Sequence, residues 1–366
     1  MTSLRQTEPN ASWKHSCYVY RDVNMNGVFD MGDKPYGNLW IDLMRPDGSE
    51  TGIYSNIDGF ANFRVSLGDR DAEIFEPGTY WISAVYPPGW DSLSSTHEQE
   101  YVFVEKSNVG GKLVPKTTCA PIGVAPILSI GARIVPAPGL EVEDYKITAT
   151  GSDGLTHPIA FDLNGNLDMF ADRGNWTLEF ADPEGKTVYS RTVFVEYGSV
   201  ELSTIDLGKP RDARPKGDVR RLGFDDLLTS DNLFEIPSGY CGLNWRNWIA
   251  VHNRFYSGAG YVNLTVSSEY VAYNSSGVPA LVWSDKPFDF VGTYIGVAWP
   301  RGEEDVVTIK AWRGSELAYS DSLHLTDNGP IFFDADYRQI TKLEISSGNY
   351  ERIVLDDFQY SIDSRE

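Results

Sequence analysis

The sequence predicts an all-β chain of small β-sandwiches in tandem, ending in a larger sandwich or jelly roll. Three observations carry that expectation. Short runs of aromatic and β-branched residues recur, bounded by Asp-Gly, Asn-Gly and Pro-Gly pairs, as expected of strands joined by tight turns. No amphipathic window of helix length competes with them. The 366 residues suggest two or three domains, each large enough to bury a core without disulfides.

The first domain is expected over residues 12–120. Cys17-Tyr18-Val19-Tyr20 forms a strand, and Leu39-Trp40-Ile41-Asp42-Leu43 alternates as a second. Turns at Asp47-Gly48 and Asp58-Gly59 lead into Phe60-Ala61-Asn62-Phe63, and Pro77-Gly78 leads into Thr79-Tyr80-Trp81-Ile82. Between the first two strands lies Asp22 to Asp33. Oxygen-bearing side chains fall at positions 1, 3, 5, 9 and 12 of this loop: Asp22, Asn24, Asn26, Asp30 and Asp33. Gly27 stands at position 6, where a calcium loop turns sharply, and Val28 at position 7 supplies a backbone carbonyl. A hard cation takes six to eight oxygens, and this spacing offers them within twelve residues. Asp33 replaces the Glu usual at position 12, a shorter arm that binds through one oxygen or through water. The other reading is a plain Asx-rich turn. The strands on either side exclude an EF-hand, which needs helices there.

The string Tyr20-x-Asp22-x-Asn24-x-Asn26-Gly27-x-x-Asp30-x-Gly32-Asp33, with Gly37, Leu39, Ile41, Leu43, Asp58-Gly59, Phe63, Pro77-Gly78-Thr79-Tyr80 and Pro88-Gly89-Trp90, resembles the B-type domain of the serine-aspartate-repeat surface adhesins. The resemblance spans roughly residues 15–106, about a quarter of the chain. It implies a prealbumin-like, Ig-like β-sandwich whose loop holds Ca2+ and stiffens a rod on a cell surface.

A second small sandwich is expected over 121–208, with strands at Ile147–Thr150, Trp176–Phe180, Val188–Val195 and Val200–Ile205. It too has a prealbumin-like look. Asp162, Asn164, Asn166 and Asp168 repeat the odd-position pattern, but Leu167 occupies the glycine position, so a polar hairpin is the expectation. Residues 209–221, with Pro210, Pro215 and Gly217 among basic residues, form a linker.

The third domain is expected over 222–363. Strand signals recur at Tyr261–Val266, Tyr270–Tyr273, Ala280–Trp283, Thr293–Trp299, Val306–Trp312, Ile331–Phe333, Lys342–Ile345 and Arg352–Leu355, a spacing that fits a sandwich or jelly roll. Asp225-Asp226 opens the domain and Asp356-Asp357 closes it. This resembles the galactose-binding-like jelly roll of carbohydrate-binding modules, which implies a structural calcium shared by Asp225, Asp226 and Asp357. Aromatic residues crowd the same domain. Sugar rings stack on flat aromatic faces, making Trp245, Trp248, Tyr256 and Tyr261 candidates for a glycan site, with core filling as the alternative.

The net charge of −21 argues against nucleic acid and anionic membranes as partners. No run of eighteen apolar residues indicates a membrane span. Met1 to Gln6 lack the apolar core of a signal peptide. Motifs of zinc proteases, serine hydrolases and P-loop enzymes are missing, and the five histidines stand apart as expected singletons. Cys17 and Cys119 form either a bridge between first and last strands or two buried thiols, with Cys241 left over. The sequons at Asn10, Asn175, Asn263 and Asn274 agree with a secretory route. The expectation is a non-enzymatic, extracellular or cell-surface protein that binds a glycan or an extracellular protein through its jelly roll. The alternatives are a structural matrix component or an accessory part of a secreted carbohydrate-active enzyme.

Overall fold

The computed structural model describes residues 13–106, 111–159, 161–162, 164–209, 217–227, 232–267, 269–299 and 305–362. It is all-β, with one short α-helix, Ala259–Asn263, and a few 3-10 turns among the described residues. No helix there is long and apolar enough to cross a membrane. The chain divides into two compact units at Ala125 and Pro126.

The first unit is a sandwich. One sheet orders Lys34–Pro35, Trp13–Arg21, Ile122–Pro126 and Trp90–Asp91, with Phe60–Val65 also paired to Trp13–Arg21. The other orders Glu50–Tyr54, Trp40–Met44, Gly78–Val85, Glu98–Lys106 and Lys112–Pro115. Strand alternation sends His15, Cys17 and Val19 inward and leaves Lys14 and Ser16 outside. Ile41, Leu43, Phe63, Tyr80 and Phe103 join them in one core, each buried side chain contributing about 1.5–3 kcal/mol. Residues 122–124 lie parallel to Val19–Arg21. This pairing carries the unit past the expected boundary at residue 120.

The second unit joins what the sequence divides. Thr156–Ile159, Lys146–Thr150, Gly174–Ala181 and Thr187–Val195 form one sheet. Leu167–Phe170, Ser129–Val135 and Val200–Asp206 belong to a 13-stranded sheet that continues into the C-terminal region. The seam is parallel: Val200 pairs Phe332, Glu201 pairs Phe333 and Leu202 pairs Asp334. Polar bonds lock it. Arg191 Nη2 lies 2.6 Å from Asp334 Oδ1, with both side chains buried, and donates to the Asp334 carbonyl at 2.9 Å. Thr204 N and Oγ1 donate to Asp321 Oδ1 at 2.8 and 2.6 Å. The separation of 121–208 from 222–363 is thus corrected. The centre of the expected linker, 210–216, lies outside the described residues. Its end, Arg220–Leu222, is a strand on Ile353–Ile362.

Several predicted short strands are fused. Ala280–Val297 and Ile331–Ser347 are single long strands with repeated register shifts between them. Bulges bend such strands without ending them, and Asp336, Gln339 and Asp357 sit at positive φ along these strands and Ile353–Ile362. They wrap a core containing Trp248, Phe288, Phe290, Tyr337 and Phe358. Of residues 261–266, expected as a strand, 261–263 instead belong to the helix Ala259–Asn263 and 264–266 follow it as turn and irregular backbone. The helix is buried throughout, and a short, mostly apolar run fits a buried helical turn as well as a strand.

Candidate functional site

The Asp22–Asp33 loop leaves the end of Trp13–Arg21 and returns through Lys34–Pro35, which pairs with Tyr20 and Arg21. Its ends are therefore held by a ladder. Asp22 is 2% exposed, and its carboxylate accepts the N–H of Asn26 at 3.1 Å and of Gly27 at 2.7 Å. Asp33 accepts the N–H of Val23 and of Asp30, both at 3.0 Å. Asp30 receives the side-chain amides of Asn24, at 3.0 and 3.2 Å, and of Asn26, at 2.7 Å. All five predicted side chains thus turn into one network. Val28 is exposed. Phe29 packs on Tyr18 and Tyr20 at 5.2 and 5.0 Å, fixing the loop's far side to the strand.

Gly27 has φ +76, and a Cβ there would stand 2.7 Å from the Leu93 carbonyl oxygen. Both the backbone angle and the close approach demand glycine. Burial raises the Asp33 pKa. Burial first, and then the charges of Asp22, Asp33 and Asp30, push Tyr20 up to about 12. Three carboxylates therefore concentrate negative potential in a loop whose donors are all oxygen, the chemistry a hard cation selects.

The second predicted metal set is not brought together. Asp225 accepts the N–H groups of Glu269 and Tyr270 at 3.0 and 3.2 Å. Asp226 accepts the Tyr240 hydroxyl at 2.5 Å. Asp357 is buried against the Arg221 guanidinium. Three different partners neutralise or satisfy three carboxylates, which corrects the expectation of a shared calcium. Asp356, their neighbour, accepts the N–H groups of Val266 and Ser267 at 2.7 and 2.9 Å. Burial, then the charge of Asp357, raises its pKa to about 7.

The predicted glycan site is also corrected. Trp245, Trp248 and Tyr261 are at most 4% exposed; Trp245 and Tyr261 pack among other rings, and Trp248 lies in the hydrophobic core. Tyr256 keeps partial exposure, with its hydroxyl 3.0 Å from that of Tyr273 and the Arg352 guanidinium 4.9 Å from its ring. Two sequons fall with them: Asn263 and Asn274 are buried, donating to the carbonyls of Asp327 and Val278. Asn10 lies outside the described residues.

Exposed rings occur elsewhere. On the outer face of the first unit's second sheet, Trp40 pairs Tyr54 and Met44 pairs Trp81. Tyr54 is 59% and Trp81 45% exposed. Trp40 donates to Asp42 at 2.5 Å and meets Tyr54 edge to face at 4.7 Å. Gly52 leaves room for the indole, since a Cβ there would lie 2.5 Å from Trp40. The period-2 rule places Trp40, Asp42 and Met44 on one face, so this surface was open to sequence reasoning.

Among the described residues, one group of three His, Cys, Asp or Glu side chains has its ligand atoms all within 4.8 Å of one another: His15, Cys17 and Cys119. His15 is therefore no singleton. The thiols of Cys17 and Cys119 adjoin as free cysteines.

No family model matches the chain, and no curated protein matches it. Among solved structures, the TIE protein of Bacillus anthracis overlaps 89% of this chain at 8% identity and TM-score 0.21. The M60 catalytic domain with the CBM51-1 and CBM51-2 domains of Clostridium perfringens ZmpB does so at 12% and 0.27. BcpA, the major pilin subunit of Bacillus cereus, overlaps 89% at 9% and 0.23. The overlaps cover 51%, 30% and 100% of those chains, so the chain spans about half or less of the first two. Superpositions this loose assign neither family nor function.

Proposed function

We propose that this chain is an extracellular or cell-surface β protein of adhesion or recognition, stiffened by calcium in the Asp22–Asp33 loop. The observation that carries the reading is a loop clamped by a strand ladder at both ends, in which Asp22 and Asp33 accept the loop's own N–H groups and Asn24 and Asn26 reach Asp30. Those five side chains and the Val28 carbonyl would hold the ion. Binding would replace the amide bonds of Asn24 and Asn26 to Asp30, while the backbone bonds of Asp22 and Asp33 keep the frame. The ion supplies charge neutralisation and cross-linking, and no reaction is required of it.

Recognition fits the face of Trp40, Tyr54 and Trp81. Flat, exposed rings beside Asp42 and Ser83 suit sugar rings, which offer an apolar face and a rim of hydroxyls. The test of the calcium reading is thermal unfolding of the full chain, first chelated and then titrated with calcium. The melting temperature of the first unit should rise with calcium by mass action. Asp30→Asn, an exposed substitution that preserves shape, should weaken the rise. An unchanged melting temperature together with no heat of binding would refute it.

A further inference from the structure

We propose that His15, Cys17 and Cys119 form a zinc site in the core of the first unit, chemically separate from the oxygen-lined loop. His15-Ser16-Cys17 places two ligand-type side chains at alternate positions of one strand, so both point inward. His15 is 5% and Cys17 0% exposed. Cys119 enters from the segment just before Ile122–Pro126, the strand that runs parallel to Trp13–Arg21. A ring nitrogen of His15 and the two sulfurs all lie within 4.8 Å of one another.

A second observation points to a ligand. His15 Nε2 is buried and has no hydrogen-bond partner. Protein interiors rarely leave such an atom unsatisfied, because it forfeits its hydration and gains nothing in return. Tyr101 and Phe103 enclose the imidazole, with ring centroids at 4.9 and 5.3 Å. A neutral imidazole is the form that binds metal. Metal binds the thiolate forms of Cys17 and Cys119, so any thiol protons leave to solvent as it enters.

Donor type and charge select the ion. One imidazole and two thiolates form a soft set that suits zinc and not calcium or magnesium. Two thiolates and a neutral imidazole balance a dication, so the buried complex carries no net charge. A monovalent soft cation would leave one negative charge in the core. Cys119 is only half-buried, and a water would supply the fourth ligand, the arrangement of three protein ligands and one open site. A Cys17–Cys119 disulfide would join the sulfurs but leave His15 Nε2 without a partner.

The test uses the full chain, purified reduced and metal-free, with zinc and with cobalt(II) as a spectroscopic stand-in. One equivalent of cobalt should give a thiolate charge-transfer band, which oxygen ligands in the Asp22–Asp33 loop cannot produce. Zinc should displace it and leave only Cys241 of the three cysteines open to thiol reagent. Cys119→Ser, at a half-buried position, should abolish the band while the calcium-dependent thermal shift persists. Cys241→Ser should keep the band. Absence of the band in reduced wild-type protein, its survival in Cys119→Ser, or recovery of the secreted protein as a zinc-free Cys17–Cys119 disulfide would each overturn the proposal.

Discussion

The two units handle charge in opposite ways. The first gathers its carboxylates in a loop at the end of a strand, and buries Arg21 and Asp22 at the mouth of that loop. Its core is otherwise apolar but for His15 and two serines. The second takes carboxylates inside: Asp289, Asp321, Asp334, Asp356 and Asp357 are all buried. Guanidiniums meet three of them, Arg338 with Asp289, Arg191 with Asp334 and Arg221 with Asp357. An acidic surface loop can be neutralised from solvent by a cation. A buried carboxylate must be neutralised by the chain, which ties its stability to long-range pairs. Part of the second unit's stability therefore depends on a few ion pairs beside its apolar core, whereas the first rests on apolar packing.

The strongest way to break this contrast is Arg191→Ala. It strands the Asp334 carboxylate at the seam between the four-stranded and 13-stranded sheets, and should cost about 3–5 kcal/mol. Denaturant unfolding should show the loss in the second unit with the first unchanged. A loss under about 1 kcal/mol would mean that packing alone holds these two sheets together.

Acid should move the two units in opposite directions. In the second, burial raises Glu201 to about 7, with Asp168 adding to the shift, and Asp356 also to about 7. Between about pH 4 and 7 the folded unit holds protons that the unfolded chain has released. Its stability is therefore greatest below that window and falls as pH rises through it. In the first, His15 falls from 6.5 to about 4. There the unfolded chain holds the extra proton, so stability rises with pH from about 4 to 6.5. Each effect should reach about 2 kcal/mol once partial solvent screening of Glu201 is allowed for. Thermal unfolding in chelator from pH 4.5 to 7 should show the two transitions diverge. Glu201→Gln should flatten the second, and parallel movement of both would reject the contrast.

Gly27→Ala sharpens the picture of the first unit. It forces a side chain into positive φ and against the Leu93 carbonyl, at a cost of about 1–3 kcal/mol. Calorimetry should show weaker calcium binding, with the second transition unmoved. The smallest effect on stability is expected of Trp81→Ala, an exposed ring whose loss should change stability by no more than about 0.5 kcal/mol. On a glycan array it should lose most binding, whereas Tyr256→Ala in the second unit should not.

The Asp22–Asp33 loop was legible as a polar turn between two strands because it is a local object. Twelve consecutive residues specify it, and the turn needs Gly27 wherever the loop sits. Strand type was equally local, from Cys17–Tyr20 to Arg352–Leu355. Strand extent was not. Ser284 to Pro287 has the composition of a turn, yet lies within Ala280–Val297, because a bulge admits proline where a regular ladder would not. Trp245, Trp248 and Tyr261 could not be sorted from exposed rings by composition, since burial depends on which sheet covers them.

While the inward facing of both His15 and Cys17 went unread, the sequence by itself determined the all-β class, many of the turns and the polar character of the Asp22–Asp33 loop. Each follows from φ/ψ preference and period-2 geometry over a few residues. Only the tertiary structure decided that Val200–Asp206 joins Ile331–Ser347, that Cys119 meets Cys17, and that Arg191 and Arg221 neutralise Asp334 and Asp357. These partners lie about a hundred residues or more apart. Their meeting is set by sheet register, which emerges from packing the whole core and is written in no single segment.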